Sequence, residues 1–138
     1  MAVHSGVLRL STRGDGDVVD LTEGVRAVLR TSGAQLGTLV AFVTGSTAAL
    51  STMEFEPGGV TDLRVLLDEL VPAARGWEHN RRNRDTNAHA HLRAALIGPS
   101  ESIPVVQGRL ALGTWQQLVL LDFDDRPRER TVTVHVHS

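Results

Sequence analysis

The sequence predicts a single α+β domain over residues 1–138, with mixed or antiparallel β-sheets and about three helices. Three observations predict it. Stretches of period two and stretches with apolar spacing of three and four interleave without the regular strand–helix–strand rhythm of a doubly wound sheet. The chain is 138 residues long and 41% hydrophobic, enough for one buried core. No linker, repeat or low-complexity segment divides it.

The elements follow in order. Residues 3–12, VHSGVLRLST, alternate Val7, Arg9 and Ser11 against Leu8, Leu10 and Thr12, the pattern of a half-buried strand. Arg13-Gly14-Asp15-Gly16-Asp17 is turn chemistry, and the short strand at 18–21 is expected to fold back on the first as a hairpin. Thr22 is placed as the N-cap of a helix, with Glu23 in its first turn. Val25, Val28 and Leu29 share its apolar face, and Gly33 stops it. Residues 37–44 form a β-branched run typical of a central strand, broken at Gly45-Ser46-Thr47 and followed by another strand at 48–53. Residues 56–59 read as a loop, after which Leu63, Leu66, Leu67 and Leu70 mark a helix ending before Pro72.

Residues 73–86 read as a polar loop carrying Trp77, Glu78 and His79. Asn87 is placed as the cap of a helix running to about Ile97, whose apolar face is assigned to Ala88, Leu92, Ala95 and Leu96. Gly98-Pro99 ends it. The remainder is β: strands at 102–106, 115–123 and 131–136, with turns at 107–108 and 124–127. In the last strand Thr131, Thr133 and His135 alternate with Val132, Val134 and Val136, leaving one wet face.

Charge narrows the function classes. The net charge is −2, so no global basic field draws in nucleic acid. Arginines cluster at 81–84 and 126–130, and each cluster reads either as a solvated face or as a phosphate grip. The absence of cysteine excludes disulfides, thiolate nucleophiles and Cys-type zinc sites. No leader-like segment and no apolar run of ~18 residues is visible, so the expectation is a cytoplasmic protein without a membrane partner.

Candidate chemistry concentrates at 79–91, where His79, His89 and His91 fall within thirteen positions with Asn83, Asp85 and Asn87 between them. Histidine ligates metals and moves protons near neutral pH. On a strand His89 and His91 would point the same way, whereas on a helix they diverge by about 200°. In an irregular first turn both can still face one cleft; the alternative is one packed inside and one at the surface. A zinc site needs a third ligand, for which His79, Asp85 and Glu54 are available. Gly45-Ser46-Thr47 is either a plain turn or a presentation of hydroxyl and N–H groups to an anion. Trp115 reads as a core residue opening a strand. His4, His135 and His137 read as surface residues.

NAHAHLRAALIGPS (87–100), IPVVQGRLALGTWQQLVLLDFD (103–124) and the arginine-rich turn after them resemble the YjbQ-like family, often labelled secondary thiamine-phosphate synthase. The resemblance extends from the strand at 37–44 to the C-terminus and more loosely over the first strands and helix. It implies a compact α+β domain, usually a homotrimer, with a pocket lined by histidines and acids. Glu54 matches the acid that follows the family's His-Thr-Thr-Ala segment, and His79 the histidine before the polar loop. Asp85 and Asn87 match the acid and amide before the His-X-His pair; Thr114, Trp115 and Gln116 match the signature strand. One position departs: this chain has Gly45 where many members carry the first histidine of that segment.

The combined expectation is a protein acting on a phosphorylated small molecule, with weak thiamine-phosphate synthesis as one form of that activity. His89, His91, Asp85 and Glu54 would be catalytic. Ser46, Thr47, Asn87, Arg93, Thr114, Trp115 and Gln116 would bind substrate, with Arg84 or Arg93 on phosphate. His79, His89 and His91 would surround a divalent metal, zinc or magnesium. No Asp-rich motif for a magnesium–pyrophosphate complex is present. The alternative is a non-catalytic homotrimer that binds a metal or an anion.

Overall fold

The structure is a computed structural model and describes residues 2–138. Its elements are β1 (Val3–Thr12), β2 (Asp17–Asp20), α1 (Thr22–Ser32), β3 (Leu36–Thr44), β4 (Ala48–Met53), α2 (Pro57–Leu70), α3 (Glu78–Asn83), α4 (Ala88–Ile97), β5 (Ser100–Val106), β6 (Arg109–Leu110), β7 (Gln117–Asp122) and β8 (Arg128–His137). The α+β class is as the sequence predicts, with α3 as a helix beyond the three expected. Two sheets form, β1-β8-β3-β5-β6 and β2-β7-β4, and every pairing is antiparallel.

The expected hairpin of β1 with β2 does not form. Ten residues of β1 pair instead with β8, in register from Val3↔His137 to Thr12↔Arg128, while β2 pairs with β7 in the other sheet. A four-residue β2 offers β1 fewer than half the partners that β8 supplies. The turn between them carries the chain across layers. Gly14 takes φ 72° there, and a Cβ on it would sit 2.3 Å from the Arg126 carbonyl oxygen.

The three-stranded sheet is the middle layer. One face of β4 and β7, with Ala48, Leu50, Leu118 and Leu120, packs with α1 and the inner face of the five-stranded sheet. The other face, with Ala49, Val119 and Leu121, packs against Leu67 of α2 and Ala90 and Ala94 of α4. β7 is therefore buried on both sides, and this middle layer brings the start of α4 against the β7–β8 turn.

Several boundaries differ from the expectation for local reasons. Leu21, not Thr22, caps α1; Asp20 accepts the Thr22 N–H at 2.9 Å, and the Thr22 hydroxyl accepts the Leu118 N–H at 3.0 Å. The 56–59 segment is a helix start rather than a loop. Pro57 takes the first helical position, where its missing N–H costs nothing, and the Glu56 carboxylate accepts the Gly58 and Gly59 N–H groups. Within the expected polar loop, Glu78 pairs with Arg81 and Arg82 across one turn of α3. β7 begins at Gln117, so Trp115 is not a core residue but stands 74% exposed. β8 has the expected alternation, with Val132, Val134 and Val136 buried and His135 exposed. No helix among the described residues is long and apolar enough to cross a membrane.

Candidate functional site

The residues that anchor the site are an acid and an arginine placed where the strand pattern calls for apolar side chains. Arg130 shares the inward phase of Val132, Val134 and Val136, and Asp122 the inward phase of Leu118 and Leu120. Their bond is bidentate: Arg130 Nε donates to Asp122 Oδ2 at 2.6 Å and Nη2 to Oδ1 at 2.8 Å. Both are buried, and isolated charges there would be costly, so the surrounding donors matter. Thr12 Oγ1 donates to Asp122 Oδ2 at 2.6 Å, and the Asp124 N–H donates to Oδ1 at 3.1 Å.

The network then runs to α4. Arg130 Nη2 donates to Thr47 Oγ1 at 2.7 Å, and Thr47 Oγ1 donates to Asp124 Oδ2 at 3.1 Å. Asn87, capping α4, reaches Asp124 Oδ1 at 3.5 Å. Burial alone would raise the Asp124 carboxyl pKa, but the Asp125 N–H, Thr47, Asn87 and Arg128 outweigh it and hold the group below the usual carboxylate value. Four parts of the chain, the ends of β1 and β3, the start of α4 and the β7–β8 turn, are thus fixed together. Sequence reading named Thr47 and Asn87 and placed Arg130 in an arginine cluster read as a solvated face or a phosphate grip, but missed Thr12, Asp122 and Asp124. The signal available was a charge on the apolar phase of a strand.

Gly45 gains meaning here. Its φ is 131°, and a Cβ built on it would lie 2.7 Å from Arg130 Nη1. That guanidinium is pinned on its other edge by Asp122 and Thr47. Gly45 therefore leaves room for the arginine behind it.

α4 is regular, and it separates the two histidines. His89 is buried, with Nδ1 lacking any partner, as does Asn87 Oδ1. Burial lowers the His89 pKa, the nearby Arg93 guanidinium lowers it further, and Asp125, Asp15 and Asp124 offset this only in part. His91 lies on the other flank, where its ring centroid is 4.8 Å from that of His79. There it lines a cleft of about 250 Å³ with Gly45, Ser46, Ala94 and Pro99. His79 Nδ1 contacts Asn80 Oδ1 at 3.0 Å, and the same oxygen accepts the Ala88 N–H at 3.0 Å, which ties α3 to the first turn of α4.

The remaining expected residues lie elsewhere. Arg93 is buried and donates to the Val71 carbonyl at 2.8 Å and to Asp68 at 3.0 Å, so its Nε and Nη2 edge is already engaged. Asp85 is exposed before α4 and accepts the Thr86 N–H at 2.8 Å. Arg84 is the exposed left-handed cap of α3. Glu54 follows β4 at the end opposite Ser46 and Thr47, about 20 Å away at strand rise. Thr114, Trp115 and Gln116 share the Glu54 end, where Gln116 donates to Thr52 Oγ1 at 3.0 Å. Among the described residues no three His, Asp or Glu side chains gather as a metal site. His79 and His91 come together without His89, and two imidazoles fall short of the three protein ligands of a catalytic zinc.

The model of the family described as UPF0047 protein YjbQ-like matches residues 6–138. The chain belongs to the YjbQ-like family. A UPF0047 protein of Methanothermobacter thermautotrophicus is 37% identical, over 99% of this chain and 93% of the relative. The UPF0047 protein YugU of Bacillus subtilis is 32% identical, over 90% of this chain and 92% of its own. Among solved structures, a YbjQ-like protein of Sulfolobus solfataricus superimposes with TM-score 0.92 at 36% identity, covering 98% of this chain and 96% of that one. A hypothetical protein of Aeropyrum pernix gives TM-score 0.90 at 40% identity, covering 97% and 98%. The YjbQ-like architecture is thus common to this chain and these solved structures.

Proposed function

We propose that this YjbQ-like chain binds the phosphoryl group of a phosphorylated small molecule in the His91 cleft. The observation that carries the reading is the position of Arg130. Gly45 lines the cleft, and a Cβ on it would lie 2.7 Å from Arg130 Nη1, so the guanidinium stands one glycine behind the cleft wall. Ser46 adds an exposed hydroxyl at the same turn, and His79 and His91 add two imidazoles. A guanidinium with hydroxyl and imidazole donors suits a phosphoryl oxygen.

Recognition is favoured over efficient catalysis. His91 has a second imidazole as its ring partner, not the carboxylate that orients a working general base. Thiamine-phosphate formation is then a weak side activity of a phosphate site. A homotrimer completes the proposal, supported by apolar side chains that one chain leaves uncovered, among them Leu66, Leu70, Leu96 and Trp115.

Isothermal titration with inorganic pyrophosphate tests the reading. Wild type is expected to bind, and His91→Ala and Ser46→Ala to lose affinity tenfold or more, with thiamine-phosphate formation falling in parallel. Wild-type affinity in both variants would remove the cleft from the account.

A further inference from the structure

A cavity on the flank of α4 away from the His91 cleft has features that phosphate recognition does not use. It lies between α2, α4 and the β1–β2 turn and measures about 190 Å³. Leu63, Leu67, Leu121 and Phe123 make its inner wall apolar, while Asp15, Arg64, Asp68 and Arg93 stand at its rim. Arg93 and Asp68 are paired with each other at 3.0 Å, and Arg93 also holds the Val71 carbonyl. Asp15 and Arg64 are different. Among the described residues Asp15 makes no ion pair, and Arg64 spends a single N–H on the Gly16 carbonyl at 3.3 Å. Two opposite charges thus face one small cavity without engaging each other.

Asp15 is held in this position by the backbone. Its φ is 53°, between Gly14 at 72° and Gly16 at 82°, so three successive residues take the left-handed region. For a non-glycine residue that conformation costs on the order of 1 kcal/mol. Backbone bonds fix it: the Asp15 N–H donates to the Asp124 carbonyl at 2.5 Å and the Gly16 N–H to the Asp122 carbonyl at 2.8 Å. The carboxylate is therefore anchored to the segment that Arg130 locks.

We propose that this cavity is a binding site for a small zwitterion with an apolar body, namely a free α-amino acid with a branched or aromatic side chain. Asp15 receives the ammonium group, the open edge of Arg64 receives the carboxylate, and the apolar wall receives the side chain. The size fits: an apolar cavity of roughly 150 Å³ accommodates a benzene ring, and larger ligands need roughly 300 Å³ or more. A phosphorylated ligand does not suit this rim, because Asp15 and Asp68 both repel it and the Arg93 charge is already paired with Asp68.

The test is a ¹H–¹⁵N titration of the full chain with leucine, phenylalanine, glycine, 3-methylbutylamine and 4-methylpentanoate. Leucine and phenylalanine are expected to shift the amides of Asp15, Gly16 and Leu67 saturably. The amine and the acid, each lacking one charge, should bind tenfold or more weakly, and glycine should not bind. Asp15→Asn suits the left-handed backbone and Arg64→Gln is exposed, so both should keep the wild-type Tm while losing leucine affinity tenfold or more. No saturable shift with either amino acid, equal affinity for either half-ligand, or wild-type affinity in both variants would overturn the proposal. Pyrophosphate binding at Ser46 should be unchanged in both, so failure here is separable from failure of the phosphate reading.

Discussion

Arg130 is the residue through which stability and site geometry are joined. Removing one partner of a bidentate pair this buried strands a charge, so Arg130→Met is expected to lower the unfolding free energy by about 3–5 kcal/mol in urea titration. A loss under about 1 kcal/mol would show that the turns around it hold without the pair. Gly45→Ala should cost about 1–3 kcal/mol by the same measurement, because its φ and the guanidinium both oppose a Cβ. His89 supplies a pH signature. Its folded pKa lies below the ordinary histidine value, so the folded state resists the proton. Its contribution is fully present above the unfolded value of about 6.5 and is lost as pH falls below that toward the folded pKa. Asp124 is depressed too, but its stability is lost only at pH values below the unfolded carboxylate value. The fall in Tm between about pH 6.5 and pH 5 should therefore be flattened in His89→Gln, and an unaltered slope would assign it to other groups. At this scale the sequence marked His91 through the His-X-His spacing and Ser46 through its place in the Gly45-Ser46-Thr47 strand break. Arg130 was legible as a member of the 126–130 arginine cluster, and its phase among the valines is the cue to its burial.

Strands were legible whether one face or both are covered, β7 included, and the face that a helix buries was the harder reading. β8 announced itself because water on one side forces polar alternation, and α1 because Val25 and Leu29 share its buried face. The inward face of α4 was misassigned because it carries small and polar side chains, Ala90, Ala94, His89 and Arg93, with Leu92 and Leu96 turned outward. Close approach of α4 to β4 favours alanine there, and apolar size is then a misleading guide. Ala90→Leu should accordingly destabilise by about 1–3 kcal/mol through overpacking, whereas Ala95→Gln should stay within about 0.5 kcal/mol. Equal effects of the two in denaturant titration would restore the face that the leucines suggest. The lost hairpin has a similar origin: the 13–17 turn signals a reversal but not which strand receives the chain afterwards, and the ten-residue match with β8 decides that.

Across the whole molecule, the expected site residues fall at two ends of the three-stranded sheet. Ser46, Thr47, Asn87 and His91 gather at one, and Glu54 with Thr114, Trp115 and Gln116 at the other. The proposed homotrimer would cover apolar side chains that one chain leaves exposed, Leu96 and Trp115 among them. Trp115→Ala and Leu96→Gln together should then shift the mass measured by light scattering toward that of a single chain; an unchanged mass would place assembly on another face. The central claim, that Gly45 opens Arg130 to a phosphoryl group beside His91, has a more direct test. A ¹H–¹⁵N titration with inorganic pyrophosphate should move the amides of Gly45, Ser46 and His91 and the Nε–H of Arg130 together, along one saturation curve. Shifts confined to the exposed arginines at 81–84, with Gly45 and Arg130 unmoved, would contradict it.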